Sequence, residues 1–266
     1  MTTPTMPASP FRLVLGTLRA HGVRALLMGG QACVLYGAAQ FSRDTDVVLA
    51  TDPANLARLE GALRALGAEL IAVPPFTADV LARGHAVHFR CEAAERTRLD
   101  VMARMRNVDP FDACWERRDT FELPEAGSVD VLSLPDLVAC KKTRRDKDWP
   151  MVRQLVDVHY RDPAFEPTDA RVRFWLRELR TPAWLAECAA AFPTLAAEVA
   201  VERAAAAAAV ARAADPGGRE GAIRAALAAE EAREREADEA YWRPLLDEQA
   251  EMRAALRRGE LSLGWP

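Results

Sequence analysis

Three aspartates in this chain are spaced so that they could hold a divalent cation. Asp44 and Asp46 stand two residues apart at the entrance to the apolar run Asp46–Leu49 (DVVL), so an extended backbone aims both carboxylates to one side. Asp100 sits within RLDVM, a second short strand that has no other reason to carry an acid. Carboxylates aligned at a strand entrance and joined by a third from a neighbouring strand make a hard-oxygen set. Such a set suits Mg²⁺, which takes one or two carboxylates together with substrate phosphates. Two such ions about 4 Å apart can activate an attacking oxygen and neutralise a leaving pyrophosphate. Upstream, Met28-Gly29-Gly30 puts a glycine pair between a strand and a helix, where a chain without Cβ atoms can approach a phosphate closely. A glycine pair alone says little; its distance from the Asp-x-Asp pair makes it informative.

These residues need a scaffold, and the pattern supplies one. A helix is predicted over 11–21, a strand over Arg24–Met28, a helix over Gly30–Tyr36 and a strand over Asp46–Leu49. The next helix has Thr51 or Asp52 as its cap, Pro53 in its first turn, Leu56, Leu59, Leu63 and Leu66 on one face, and Gly67 as its stop. Strands follow at 69–73, 86–90, 98–102 and 129–132. A helix starts at Ser133 and Pro135 and runs through Lys141, and another covers 150–160. Strands mixed with helices in this order indicate an α/β or α+β sheet domain. Beyond Arg161 alanine rises and charged helix formers dominate 219–240, so residues 161–266 read as an all-α region, with Pro216-Gly217-Gly218 and Pro244 as punctuation.

The string MGGQACVLYGAAQFSRDTDVV (28–48) resembles the signature of the nucleotidyltransferase superfamily, which has a DNA polymerase beta-like fold. That signature runs from an apolar residue through Gly-Gly or Gly-Ser, across about a dozen residues, to Asp-x-Asp or Asp-x-Glu. Thr45 departs from it, standing where the family usually has an apolar residue. The phrasing is similar to that of the small prokaryotic branch containing the toxin nucleotidyltransferases of AbiE-like toxin–antitoxin systems, where a basic stretch comparable to Lys141–Asp148 (KKTRRDKD) follows the sheet. The resemblance covers roughly residues 10–160 and implies an α+β fold, a nucleotidyltransferase-type mixed sheet with packed helices, followed by the helical region.

It further implies that residues 1–160 form a catalytic domain and 161–266 an appendage. Asp44, Asp46 and Asp100 would bind metal, Asp100 would help to deprotonate the acceptor, and Gly29 and Gly30 would hold the triphosphate. Lys141 or Lys142 would contact phosphate or acceptor. Arg43 flanks the acids and reads equally as a phosphate contact or as a carboxylate partner. The expected activity is transfer of a nucleoside monophosphate from an NTP, with Mg²⁺, to a hydroxyl of an RNA, a protein or a small molecule. The alternative, from another class, is a catalytically silent module of the same fold serving in a toxin–antitoxin or other complex, with a cognate protein partner.

Other residues carry blander readings. His85 and His88 would face opposite sides of a strand, which disfavours joint metal ligation. Arg104, Met105 and Arg106 follow Asp100 and are candidates for an acceptor groove. The basic cluster reads equally as a solvated helix face, on which Lys141 and Arg145 would sit together and Lys142 about 100° away. Cys33 and the tryptophans Trp115, Trp149, Trp175, Trp184, Trp242 and Trp265 read as packing residues. With 35 basic and 39 acidic residues and a net charge of −4, nothing global favours nucleic acid or anionic membrane. Five scattered cysteines without a CxxC pair exclude a disulfide framework and fit a reducing cytosol. Met1–Pro10 lacks the pattern of a signal peptide, and no run approaches the roughly 20 apolar residues of a membrane span, so a cytoplasmic protein is expected.

Overall fold

Side-chain direction within three strands decides what lies on each side of the sheet. In the computed structural model, which describes residues 9–124, 126–211 and 216–264, the chain forms two compact units, Met1–Cys140 with Tyr241–Pro266, and Lys141–Ala240. Packing thus divides the chain after Cys140, ahead of the change in composition near 160. The first unit is α+β. Its strands are β1 (Ala25–Met28), β2 (Thr45–Leu49), β3 (Ala68–Leu70), β4 (Val87–Cys91), β5 (Thr97–Met102), β6 (Asp119–Leu123) and β7 (Gly127–Val131). They make one mixed sheet in the order β3-β4-β5-β2-β1-β7-β6, in which β2/β5 and β1/β7 are parallel and the other pairs antiparallel. Its helices are α1 (Pro10–Ala20), α2 (Gly29–Leu35), α3 (Pro53–Ala65), α4 (Ala78–Arg83), α5 (Phe111–Glu116) and α6 (Leu134–Cys140).

Val47 and Leu49 of β2, Val87 and Phe89 of β4, and Leu99 and Val101 of β5 are buried in one apolar cluster with Val14, Leu18, Leu59, Leu63 and Leu81. Because side chains alternate with period 2, His88, Arg98, Asp100 and Asp46 are turned to the opposite face. Helix α3 joins the core as its leucine stripe requires, with Leu59, Leu63 and Leu66 buried and Leu56 partly so. Asp52 caps it by accepting the Asn55 N–H at 2.9 Å. Asn55, fully buried, ties the helix to the sheet by donating to the carbonyls of Arg24 and Ala50 at 3.0 and 2.8 Å.

The second unit is helical: α7 (Asp148–Arg161), α8 (Asp169–Glu178), α9 (Pro182–Ala191), α10 (Pro193–Ala200), α11 (Ala204–Val210) and the first part of α12 (Pro216–Arg257). Among the described residues no strand follows Val131, and no helix is long and apolar enough to cross a membrane. Two expectations are corrected. Pro244 does not interrupt α12; the roughly 3 kcal/mol penalty of an interior proline is offset over 42 residues rich in Ala, Glu and Arg, with Leu245 buried beside it. The helix expected to run through Lys141 stops at Cys140, so Lys141, Lys142 and Arg145 share no helix face. The side chain of Asp148 competes with the helical ladder. It collects Lys141 Nζ at 3.4 Å, the Thr143 hydroxyl at 2.6 Å and Arg145 Nε at 2.7 Å, and so folds 141–147 into a loop.

Cys33, Cys91, Cys114 and Cys188 are buried thiols, and Cys140 is half-buried. Burial pushes the Cys91 and Cys114 thiols up to about 11 and that of Cys188 to about 12, as expected of core residues rather than nucleophiles. Trp149 and Trp175 are buried as read; Trp265 lies outside the described residues.

Candidate active site

A row of side chains crosses three strands at one level. Asp46 on β2 is the direct register partner of Asp100 on β5, and Asp100 is that of His88 on β4. Adjacent strands lie about 4.8 Å apart, so the two carboxylates are near neighbours. Asp44 lies just before β2, in a bend, and is exposed.

One guanidinium organises the acids. Arg98 precedes Asp100 by two residues on β5 and therefore shares its face. Its Nε donates to Asp100 Oδ1 at 2.7 Å, and His88 Nδ1 meets the same oxygen at 2.9 Å. Burial would raise the Asp100 carboxyl, but these hydrogen bonds and the charges behind them outweigh it and leave the group below the ordinary carboxylate range. Arg98 is in turn held above its usual value, first by its hydrogen bond to Asp100 and then, against burial, by the charges of Asp100, Asp44 and Asp46. All three predicted carboxylates are thus within electrostatic reach of one arginine. Among the described residues no three His, Cys, Asp or Glu are already grouped as a metal-holding cage. By donor type Asp44, Asp46 and Asp100 fit a hard dication, and the positive charge that reaches all three is that of Arg98.

The glycine pair has a steric reason. Gly29 has φ +68°, and a Cβ there would stand 1.9 Å from Asp46 Oδ2. A Cβ on Gly30 would stand 2.3 Å from the Ser42 hydroxyl oxygen. Only glycine lets the start of α2 press this closely on the Asp-x-Asp segment. Gln31, nearly buried, completes the latch by donating Nε2 to the Ser42 carbonyl at 2.8 Å. Arg43 is exposed and makes no ion pair among the described residues, so the carboxylate-partner reading of it is not what the structure shows. Thr45 is fully buried with its hydroxyl unpartnered, which makes its slot an apolar one.

Sequence reasoning missed Arg98 and His88. The i, i+2 spacing in RLD was sufficient to find Arg98; His88 needed the strand register. His85, by contrast, is fully buried and pairs with Glu248 at 2.8 Å, so the two histidines serve different partners. The basic cluster is already engaged within its own unit, Lys142 with Glu178 at 2.7 Å and Lys141 with Asp148. Arg104 and Met105, but not Arg106, line a cleft of about 730 Å³ with Arg24, Asp52, Phe111 and Tyr241. This cleft opens at the C-terminal ends of β2 and β5, where its lining residues Leu49 and Ala103 stand three residues, or about 10 Å, along the chain from Asp46 and Asp100.

No protein-family model and no curated protein matches this chain. Among solved structures it is similar to a protein of H. pylori described as a candidate nucleotidyltransferase, at 12% identity and a TM-score of 0.37, covering 84% of this chain and 92% of that one. It is also similar to JHP933 from Helicobacter pylori, at 13% identity and a TM-score of 0.36, covering 90% of this chain and 95% of that one. Similarity at that level leaves the functional reading to rest on the residues of this chain.

Proposed function

We propose that this chain is a nucleotidyltransferase that moves a nucleoside monophosphate from an NTP to an acceptor hydroxyl and releases pyrophosphate. The observation that carries the reading is the register pairing of Asp46 with Asp100 on the face opposite the core, with Gly29 packed against Asp46. Asp44 and Asp46 would hold Mg²⁺, and Asp100 would join them once Arg98 and His88 release its oxygen. When bound, the metal polarises the reacting phosphate and neutralises charge on the leaving group.

The residues of the chain do the rest. The Gly29–Gly30 backbone would approach the triphosphate, and Arg43, exposed and without a carboxylate partner among the described residues, would meet a phosphate oxygen. The acceptor oxygen bonds to the α-phosphorus while the α-phosphorus bond to the bridging oxygen breaks, and that electron pair leaves with pyrophosphate. The acceptor proton passes to the Asp100 carboxylate and then to solvent. Asp100 is a poor base while Arg98 and His88 hold it, so proton acceptance would require those contacts to be released when substrate binds. The resemblance alone supports phosphate contacts by Lys141 or Lys142, a cognate protein partner, and an acceptor among RNA, protein and small molecules.

The test is incubation with each α-labelled NTP, Mg²⁺, total RNA and lysate protein. Label should enter one macromolecular or small-molecule fraction with pyrophosphate released, and Asp46→Asn or EDTA should abolish both. Mg²⁺-dependent NTP binding without pyrophosphate from any mixture would instead mark a silent binding module.

A further inference from the structure

The helical unit contains a cleft of about 480 Å³ whose charge has no role in the reading above. Four arginines line it, Arg153, Arg180, Arg224 and Arg235, against two carboxylates, Asp146 and Glu231. Arg235 answers both acids, reaching Asp146 and Glu231 at 2.8 Å each. The other three arginines are left under-matched. Arg224 is 72% exposed with only Glu220 at 3.7 Å, one helical turn away. Arg153 is exposed and makes no ion pair among the described residues, although its charge reaches Asp157.

Arg180 distinguishes this cleft from a solvated helix surface. Its side chain is 6% exposed, and its guanidinium packs 4.6 Å from the Trp149 ring centre. One terminal nitrogen donates to the Leu227 carbonyl at 2.8 Å. The other is buried without a hydrogen bond, its nearest acid being Glu230 at 3.6 Å. Burial is the largest influence on this guanidinium and pushes its affinity for the proton down, with the nearby acids only partly compensating. A buried donor without an acceptor is costly to keep.

We infer that this cleft is a metal-independent binding site for a polyphosphate group, such as pyrophosphate or the phosphate chain of a nucleotide. Planar guanidinium forks match phosphate oxygens two at a time, and the lining offers several at once: the exposed Arg153 and Arg224, whose acids are distant, and the buried Arg180 nitrogen that lacks an acceptor, although Glu230 and Glu231 lie 3.6 and 3.8 Å from that guanidinium.

The experiment is calorimetric titration of the full chain with inorganic tripolyphosphate in EDTA at low salt. Saturable binding of one equivalent is expected. Arg153→Ala/Arg224→Ala removes two exposed contacts without touching the buried Arg180, and should weaken binding about tenfold or more at unchanged helicity. Asp44→Ala should bind as wild type does, because the carboxylate site is silent without metal. Absence of saturable binding, an unchanged constant in the double variant, or a loss in Asp44→Ala would each overturn the assignment. The first two outcomes leave the proposed transferase activity, which requires Mg²⁺ and Asp46, untouched; a loss in Asp44→Ala would instead assign the anion to the carboxylate site.

Discussion

Asp46 and Asp100 are direct neighbours across a parallel strand pair, and the charge of one arginine, Arg98, spans both. Two carboxylates at that spacing repel unless a cation lies between or beside them. If Arg98 stands where a metal acts, then Arg98→Ala should lower stability by about 1 kcal/mol in EDTA, a value kept low by its partial exposure. Millimolar Mg²⁺ should restore the variant more than it affects wild type. Denaturant unfolding with and without Mg²⁺ measures this; equal Mg²⁺ effects on both proteins would mean the acids do not share a cation site.

Gly29→Ala should be among the most damaging small substitutions in the chain. It adds strain at φ +68° and drives a methyl into the Asp46 carboxylate. A loss of about 1–3 kcal/mol is expected, with NTP binding impaired beyond what the loss of fold explains. Unfolding curves and NTP titration on the folded fraction separate the two effects. A variant as stable as wild type would show that the close approach is not maintained in solution.

Thr45→Val should stabilise. The hydroxyl is fully buried without a partner, and valine matches its shape, so a gain of about 1 kcal/mol is expected with the site intact. A destabilised variant would reveal a partner for that hydroxyl.

The carboxylate row was legible because β2 and β5 each set an aspartate among apolar residues, Asp46 ahead of Val47–Leu49 and Asp100 between Leu99 and Val101. The elements that escaped are short or polar. Helices α4 and α5 have six residues each, too few for a helical period to show. Strand β6, Asp119–Leu123, is an edge strand with no buried position, and its polar–apolar alternation spans only four residues, Thr120–Leu123. The segment 141–147 reads as a continuation of the helix that starts at Ser133 and Pro135, because nothing in the sequence marks a stop after Cys140. Its conformation is set instead by Asp148, a tertiary competition that spacing cannot reveal. Arg98 was overlooked for another reason: its neighbours drew attention as an apolar strand carrying one acid.

Two buried aspartates of α7 should respond oppositely to neutralisation. Burial works against Asp148, but Lys141, Thr143 and Arg145 overcome it and hold its carboxyl below the usual range. Its contribution is therefore present above the ordinary carboxylate value, about 4, and is lost as pH falls through the lowered one. Asp148→Asn should cost about 2–3 kcal/mol at pH 7, with the gap closing in acid. Asp157 is raised, mainly by burial, against one hydrogen bond from Thr181. A raised carboxyl destabilises the fold above its folded value and is neutral in both states below about 4. Asp157→Asn should therefore raise the melting temperature at pH 7, and the advantage should disappear in acid. Thermal unfolding of both variants across pH 3–8 would check the pair, and the same sign for both would contradict the electrostatic assignment.

The most direct measurement for the account as a whole is equilibrium binding of each NTP to the wild-type chain and to Asp46→Asn, in Mg²⁺ and in EDTA, at salt high enough to suppress metal-free anion binding. The carboxylate row predicts binding of at least one NTP that requires Mg²⁺ and is weakened about tenfold or more by Asp46→Asn at unchanged stability. Binding that is indifferent to Mg²⁺ and to Asp46→Asn, or absent for every NTP, would contradict the assignment of Asp44, Asp46 and Asp100 as a metal–nucleotide site.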